Sequence, residues 1–356
     1  MSQMAASAPR RLAWLALGAL ALVMMLGNVV SATGSGLGCP DWPLCHGRFI
    51  PPGGTEIWIE FRHRLAVPLF SVLLVATAFL TWRRATAPAL RRLAVALVGL
   101  LIAQIVLGGV TVLLGLSPLV STVHLLTALT VLAGLITICA VPLAGRGAAE
   151  GETSNSTVPR PPEPRLARLA TAGLVVLIVQ LALGGYVRHS GAGLACPDFP
   201  LCSGDVFPGH WLGWVHWLHR WLGVLLLGFF LHLAWASRHG ALAGVGVVVA
   251  GAALAQVSLG ILAVLLRLPI AVRASHAVVA YALWALLVWI AVRASGWGAA
   301  VGSTIGPPSI IDPLGSTTDP LGSPSASPRQ ATASPRQATT SPRQATAAPK
   351  HSMGPE

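Results

Sequence analysis

Apolar runs free of charge divide this chain. No charged residue occurs between Arg11 and Asp41, Arg64 and Arg83, Arg168 and Arg188, Arg220 and Arg238, or Arg273 and Arg293. Each gap holds one membrane-spanning helix of about 17–25 residues. The gap from Arg92 to Arg146 holds two, broken at Gly115-Leu116-Ser117-Pro118, and that from Arg238 to Arg267 holds one more. The pattern predicts eight spans, roughly 12–32, 63–82, 93–114, 119–142, 166–187, 216–236, 241–266 and 270–293.

Composition agrees. The chain is 54% hydrophobic and 10% charged, with a mean hydropathy of +0.72, more apolar surface than a soluble domain can hide. Twelve arginines fall in the termini and loops of one side against seven on the other, which predicts both termini in the cytoplasm. The net charge of +12 points to anionic lipid rather than nucleic acid as a partner. The start, MSQMAASAPRR before an apolar run, reads as a signal anchor, since the first span is needed for the halves to match. No Arg/Ser-rich transit segment precedes it, so the expected location is the cell membrane of a prokaryote.

The chain also repeats. CPDWPLC at Cys39–Cys45 returns as CPDFPLC at Cys196–Cys202, six of seven letters alike at an offset of 157. Gln104, Gln180 and Gln256, 76 residues apart, open the strings QIVLGG, QLALGG and QVSLGI. The first span offers VMMLGN at 23–28, without the glutamine and one residue out of step. Four spans per half insert both halves the same way round, as parallel repeats. The expected fold is an all-α membrane protein of eight transmembrane helices in two pseudo-symmetric four-helix bundles, 1–143 and 166–296. A polar, Pro-rich cytoplasmic linker, 144–165, would join them. The tail, 297–356, carries DPLGS twice and SPRQAT three times at a period of seven and reads as disordered.

Histidine placement carries chemistry. His63, His124, His219 and His276 each open an even-numbered span, at offsets between halves of 156 and 152. All four would lie in the outer half of the bilayer, two per bundle on facing helices. Such a pair can ligate a metal ion or the iron of a haem. Haem fits better, because residues 206–311 contain no Asp or Glu to complete a metal site. The bland alternative is a histidine hydrogen-bonded across helices. His216, one turn above His219, is an alternative ligand. His46, His189, His210, His232 and His239 lack the pattern. Glu60 stands three residues before His63, on one helical face with it, and its counterpart is His216. A carboxylate there could relay a proton, or it could pair with Arg62 or Arg64. The cysteines face outward, where disulfides persist; each pair is a structural staple or a redox-active dithiol. Cys139, alone in span four, reads as packing.

The motif EFRHR at Glu60–Arg64, the loops GSGLGCPDWPLC and GAGLACPDFPLC, and one histidine on each even span together resemble the haem A synthase family, over about residues 12–293. The resemblance implies conversion of haem O to haem A, the C8 methyl group becoming a formyl group by two successive hydroxylations and loss of water. It implies His63 and His124 as ligands of the substrate haem, and Glu60 as the catalytic carboxylate. It implies His219 and His276 as ligands of a permanent haem b, and the disulfides Cys39–Cys45 and Cys196–Cys202, the first tied to activity. The enzyme that makes haem O is an expected partner. Arg188 has Ser31 as its counterpart, so a haem-propionate role for Arg188 has no mirror in the first half. A di-haem b-type electron carrier is the alternative from another class. Against it, both haems would lie near one face, and Glu60 would be surplus.

Overall fold

A computed structural model describes residues 2–141 and 163–296, with side chains from Arg10 onward. Most of the expected linker and all of the tail lie outside the described residues. The eight long helices are α1 (Ser2–Thr33), α2 (Thr55–Arg84), α3 (Pro88–Leu113), α4 (Pro118–Ala140), α5 (Pro164–His189), α6 (Trp211–Ser237), α7 (Ala243–Leu265) and α8 (Ile270–Ala294). The shortest have 23 residues, about 35 Å at about 1.5 Å per residue, enough for a hydrocarbon layer of about 30 Å. All eight contain a window apolar enough to cross a membrane. The chain is therefore a multi-pass membrane protein, all-helical among the described residues.

Helix starts are marked by proline, whose missing N–H costs nothing in a first turn: Pro88, Pro118 and Pro164 open α3, α4 and α5. Four starts lie five or more residues outside the expected spans: α1 begins at Ser2 rather than near 12 and α3 at Pro88 rather than near 93, and two more bear on the site. α2 begins at Thr55 rather than near 63, and α6 at Trp211 rather than near 216. Charge marks where a span enters lipid, and the helix continues past it. Glu60 and His63 consequently sit one turn apart within α2.

The helices make two rings of neighbours. α1 packs on α2, α2 on α3, α3 on α4, and α4 returns to α1; α5 to α8 repeat the pattern, closed by α5 on α8. Contacts of α4 with α5 and α8, and of α1 with α8, join the rings. α4 is the most buried helix, 56% of its apolar window against 22–39% elsewhere, because it touches both sets. Leu74, Leu97, Leu129 and Leu135 are fully enclosed around it, and Leu233, Val249, Leu287 and Ile290 do the same among α6, α7 and α8. Outward faces are apolar too: Leu65, Leu69, Val72 and Phe79 of α2 are each more than half exposed, as lipid contact requires. Hydroxyls in the spans bond back to their own helix, as Ser71 Oγ does to the Val67 carbonyl (2.8 Å) and Thr77 Oγ1 to that of Leu73 (2.7 Å).

Polar contacts tie the rings together near the cysteine-loop side. Arg188 at the end of α5 donates Nε to Ser31 Oγ (2.8 Å), Nη1 to Asn28 Oδ1 (2.7 Å) and Nη2 to the Asn28 carbonyl (2.9 Å). Asn28 in turn donates Nδ2 to the Ala274 carbonyl (2.9 Å), and Arg273 donates Nη2 to that of Ala32 (2.7 Å). Arg188 and Ser31 stand 157 residues apart, so two repeat-equivalent positions meet. Deeper in, Trp284 Nε1 donates to the Leu129 carbonyl (2.8 Å), joining α8 to α4.

Glycine permits one close approach here. A methyl group added at Gly173 would stand 2.5 Å from Phe229 Cε1 and 3.1 Å from Leu287 Cδ2, whereas at Gly228 it would meet nothing within 4 Å. Gly173→Ala is therefore expected to destabilise the detergent-solubilised chain by about 1–3 kcal/mol, read as a lower melting temperature, while Gly228→Ala, which gains helix propensity without a clash, does not lower it.

Candidate functional site

The two cysteine loops are built alike. Cys39–Cys45 and Cys196–Cys202 are both closed disulfides. Asp41 accepts the main-chain N–H groups of His46 (2.6 Å) and Gly47 (2.7 Å); Asp198 accepts those of Ser203 (2.7 Å) and Gly204 (2.8 Å). His46 and Ser203 have φ of 54° and 57°, a left-handed turn that these bonds hold in place. Gly47 above all, with His46, keeps the Asp41 carboxyl below the usual carboxylate range, and Gly204 with Ser203 does the same for Asp198.

An arginine fastens each loop to the helix below. Arg64 Nη1 donates to the carbonyls of Asp41 (2.8 Å) and Leu44 (2.9 Å), and Nη2 to that of Cys39 (2.7 Å). Arg220 repeats this with Asp198 (2.7 Å), Leu201 (3.1 Å) and Cys196. The guanidinium fork suits this work, since its donors are fixed in one plane. Neither arginine stood out in the sequence as an anchor. The signal was present in their spacing of 156, the offset of the histidines they follow.

Below the loops the halves diverge. Glu60, 3% exposed, accepts the Cys39 N–H at Oε2 (2.8 Å) and Arg64 Nε at Oε1 (3.1 Å), with Arg64 Nη2 closing an ion pair. Of the two arginines considered as its partner, Arg64 is the one. In the second half His216 occupies this place: the Cys196 N–H points at its Nδ1 (3.4 Å) and Arg220 Nε at its Nε2 (3.2 Å). A carboxylate takes all these donors at once, while a neutral imidazole accepts through one nitrogen. His216 thus faces its loop, and it is His219 that lies opposite His276.

The four histidines sit on helical glycines. A methyl group added at Gly27 would stand 3.0 Å from Cε1 of His63; at Gly108, 3.2 Å from that of His124; at Gly184, 2.8 Å from His219; at Gly260, 3.1 Å from His276. VMMLGN is therefore in step with the glutamine strings, contrary to its spacing along the chain: Val23 stands where a glutamine stands elsewhere. His63 Nδ1 faces the Val23 carbonyl (3.0 Å), as His276 Nδ1 faces that of Gln256 (3.1 Å). Gln104 and Gln256 place Nε2 at 3.3 Å and 3.2 Å from Nε2 of His124 and His276, and Gln180 donates to the His219 carbonyl (2.9 Å). His124 Nδ1, His219 Nδ1 and all three glutamine Oε1 atoms are buried without a hydrogen-bond partner among the described residues. Over the first site, the Trp42 ring rests on α3 at Gly109, where an added methyl would stand 2.7 Å away.

The imidazole rings of His219 and His276 are 6.4 Å apart, centre to centre. One metal ion between two imidazoles, with bonds of about 2.0–2.1 Å on either side, separates ring centres by about 6 Å. Among the described residues no group of three or more His, Cys, Asp or Glu could hold an ion. The donor set, two facing imidazoles with no third side-chain ligand among the described residues, thus fits an ion that brings its other ligands with it, as haem iron does.

A helical membrane protein with paired inward histidines under two disulfide loops is the class that fold and site define. The sequence model of the family described as Cytochrome oxidase assembly protein (COX15-CtaA) matches residues 10–288, and the chain belongs to that family. A protein of Bacillus pumilus named Heme A synthase is 31% identical over 226 residues, 61% of this chain and 71% of that relative. One of Shouchella clausii with the same name is 34% identical over 58% of this chain and 68% of its own. Another, of Shewanella oneidensis, is 28% identical over 72% of this chain and 87% of the relative.

The depressed Asp41 carboxyl predicts a pH dependence. A group whose folded pKa lies below its unfolded value braces the loop above the ordinary carboxylate range, and the bracing is lost as pH falls through the folded value. Reduction of Cys39–Cys45 by an acid-stable phosphine should accelerate on acidification through that window. In Asp41→Asn it should be fast throughout, with no such acid step.

Proposed function

We propose that the chain is a haem A synthase of a prokaryotic cell membrane, oxidising the C8 methyl group of haem O to the formyl group of haem A. Family membership and the shared name of the relatives support the activity, which makes the chain an oxidoreductase. The two rings of helices are read as two four-helix bundles, with both termini cytoplasmic and the cysteine loops outside. His63 and His124 hold the substrate haem in the first; His219 and His276 hold haem b in the second. The 6.4 Å separation of the His219 and His276 rings carries the reading of the second pair, and the first pair follows from its equivalent place in the repeat. Haem b, when bound, supplies one-electron redox chemistry.

The chain's own residues divide the work. Histidines aim their nitrogens into the slots, and the apolar walls exclude water. Glu60 is the group that distinguishes the halves: its carboxylate can hold a proton at the mouth of the first slot, where the second half has an imidazole. Arg64 keeps it oriented, and the Cys39–Cys45 disulfide closes the loop that shares its hydrogen bonds. Haem O, an apolar substrate, reaches the site from the membrane, with the enzyme that makes it as the proposed supplier.

Expression with a source of haem O should yield haem A or its hydroxylated intermediate in extracted pigments. Bound b-type haem without either product would favour a di-haem electron carrier. Because Glu60 also holds the loop, two variants separate its roles. Glu60→Gln keeps an oxygen for the Cys39 N–H, and Glu60→His installs the arrangement of the second half. Both should retain haem b on His219 and His276 and lose product by about 10²-fold or more; unchanged product would remove Glu60 from the chemistry. Cys39→Ser should lower product yield, and full activity under both oxidising and reducing conditions would leave the disulfide no part in the reaction.

A further inference from the structure

The four glycines beneath the histidines do more than admit helix contact. Each lies on the odd-numbered helix preceding the histidine's own: Gly27 on α1, Gly108 on α3, Gly184 on α5 and Gly260 on α7. Each meets the same atom, Cε1, at 2.8–3.2 Å from where a methyl would stand. Cε1 lies between the two ring nitrogens, so contact there sets how far the ring tips toward the slot. For His63 and His276 a second point fixes the ring, the carbonyl of Val23 or Gln256 one helical turn before the glycine. A proton on Nδ1 then bonds that carbonyl and leaves Nε2 unprotonated, able to ligate; in His276 it faces the Gln256 side-chain amide (3.2 Å), which a ligand would displace. The imidazole cannot retreat from an added methyl without stretching the Nδ1 bond.

We infer that Gly27, Gly108, Gly184 and Gly260 are positioning residues that aim the four imidazoles by letting each ring edge rest on bare helix backbone. Contact is not a general property of glycines on these helices: Gly109 and Gly173 pack on Trp42 and Phe229, while others on α1, α3 and α7 are open. A methyl at Gly18 of α1, Gly99 of α3 or Gly251 of α7 would meet nothing within 4 Å. These provide matched controls for the cost or gain of alanine in a helix. Crowding ranks the four, with Gly184 at 2.8 Å the tightest and Gly108 at 3.2 Å the loosest.

The inference rests on the reading of His219 and His276 as haem ligands, and the test separates the two. The full chain is purified with its haem, and the haem content, low-spin electron paramagnetic resonance signal and midpoint potential are measured. Gly251→Ala should match the parent in all three. Gly260→Ala should keep its haem but shift the low-spin signal and the potential, and Gly184→Ala should lose at least half of its haem. If Gly184→Ala fails to accumulate, the milder Gly260→Ala decides. Coincidence of Gly260→Ala with Gly251→Ala in signal and potential would overturn the inference. Should His276→Ala retain the parent's haem signal, the haem site itself falls, and the positioning with it. In the first half, Gly27→Ala set against Gly18→Ala should show weaker binding of added haem O, and equal binding would count against the glycine.

Discussion

Inside a hydrocarbon layer a polar group must find its partner within the protein, because no water is there to serve. That constraint orders this structure. Many Thr and Ser hydroxyls fold back onto their own helices. Arg188, Asn28 and Arg273 satisfy one another's neighbourhood where the halves meet. Glu60, which would be expensive alone at the mouth of an apolar helix set, is held by Arg64 and by the main chain of the loop above it. The atoms left over are then informative. Among the described residues, five of the nine are imidazole nitrogens and glutamine oxygens, at His124, His219 and His276.

Much of this was legible in the chain. The spans were readable because charge is excluded from lipid, and the repeat because two loops kept six letters in seven. Both disulfides pair as the family resemblance implies. Helix starts were less legible, since α2 and α6 run on past the apolar stretch that announces them. The register of the first span misled for a related reason. The distance along the chain includes loops of unequal length, whereas the pairing of Gly27 with His63 depends only on what faces what across a helix pair. The hold of Arg64 on carbonyls 20 to 25 residues away leaves no local pattern.

The likeness of the loops sharpens the meaning of their difference. Disulfide, aspartate brace and arginine anchor are all present twice, so none of them separates one half from the other. Glu60 and His216 occupy one geometric position and serve one structural purpose, the seating of a cysteine N–H. A position that tolerates either residue for support is free to be chosen for something else. The glycines under the histidines belong with the shared features, since one meets the Cε1 of a histidine on each even-numbered helix.

The meeting of Arg188 with Ser31 has a consequence of its own. Were the halves separate copies of one polypeptide related by a twofold axis, this position would face its own copy. An arginine would then confront an arginine, in surroundings that screen like charges poorly. Covalent joining removes that symmetry requirement. One copy can carry the long cation and the other the short hydroxyl that receives it, so the seam between the halves uses a contact that no homodimer of either half could make.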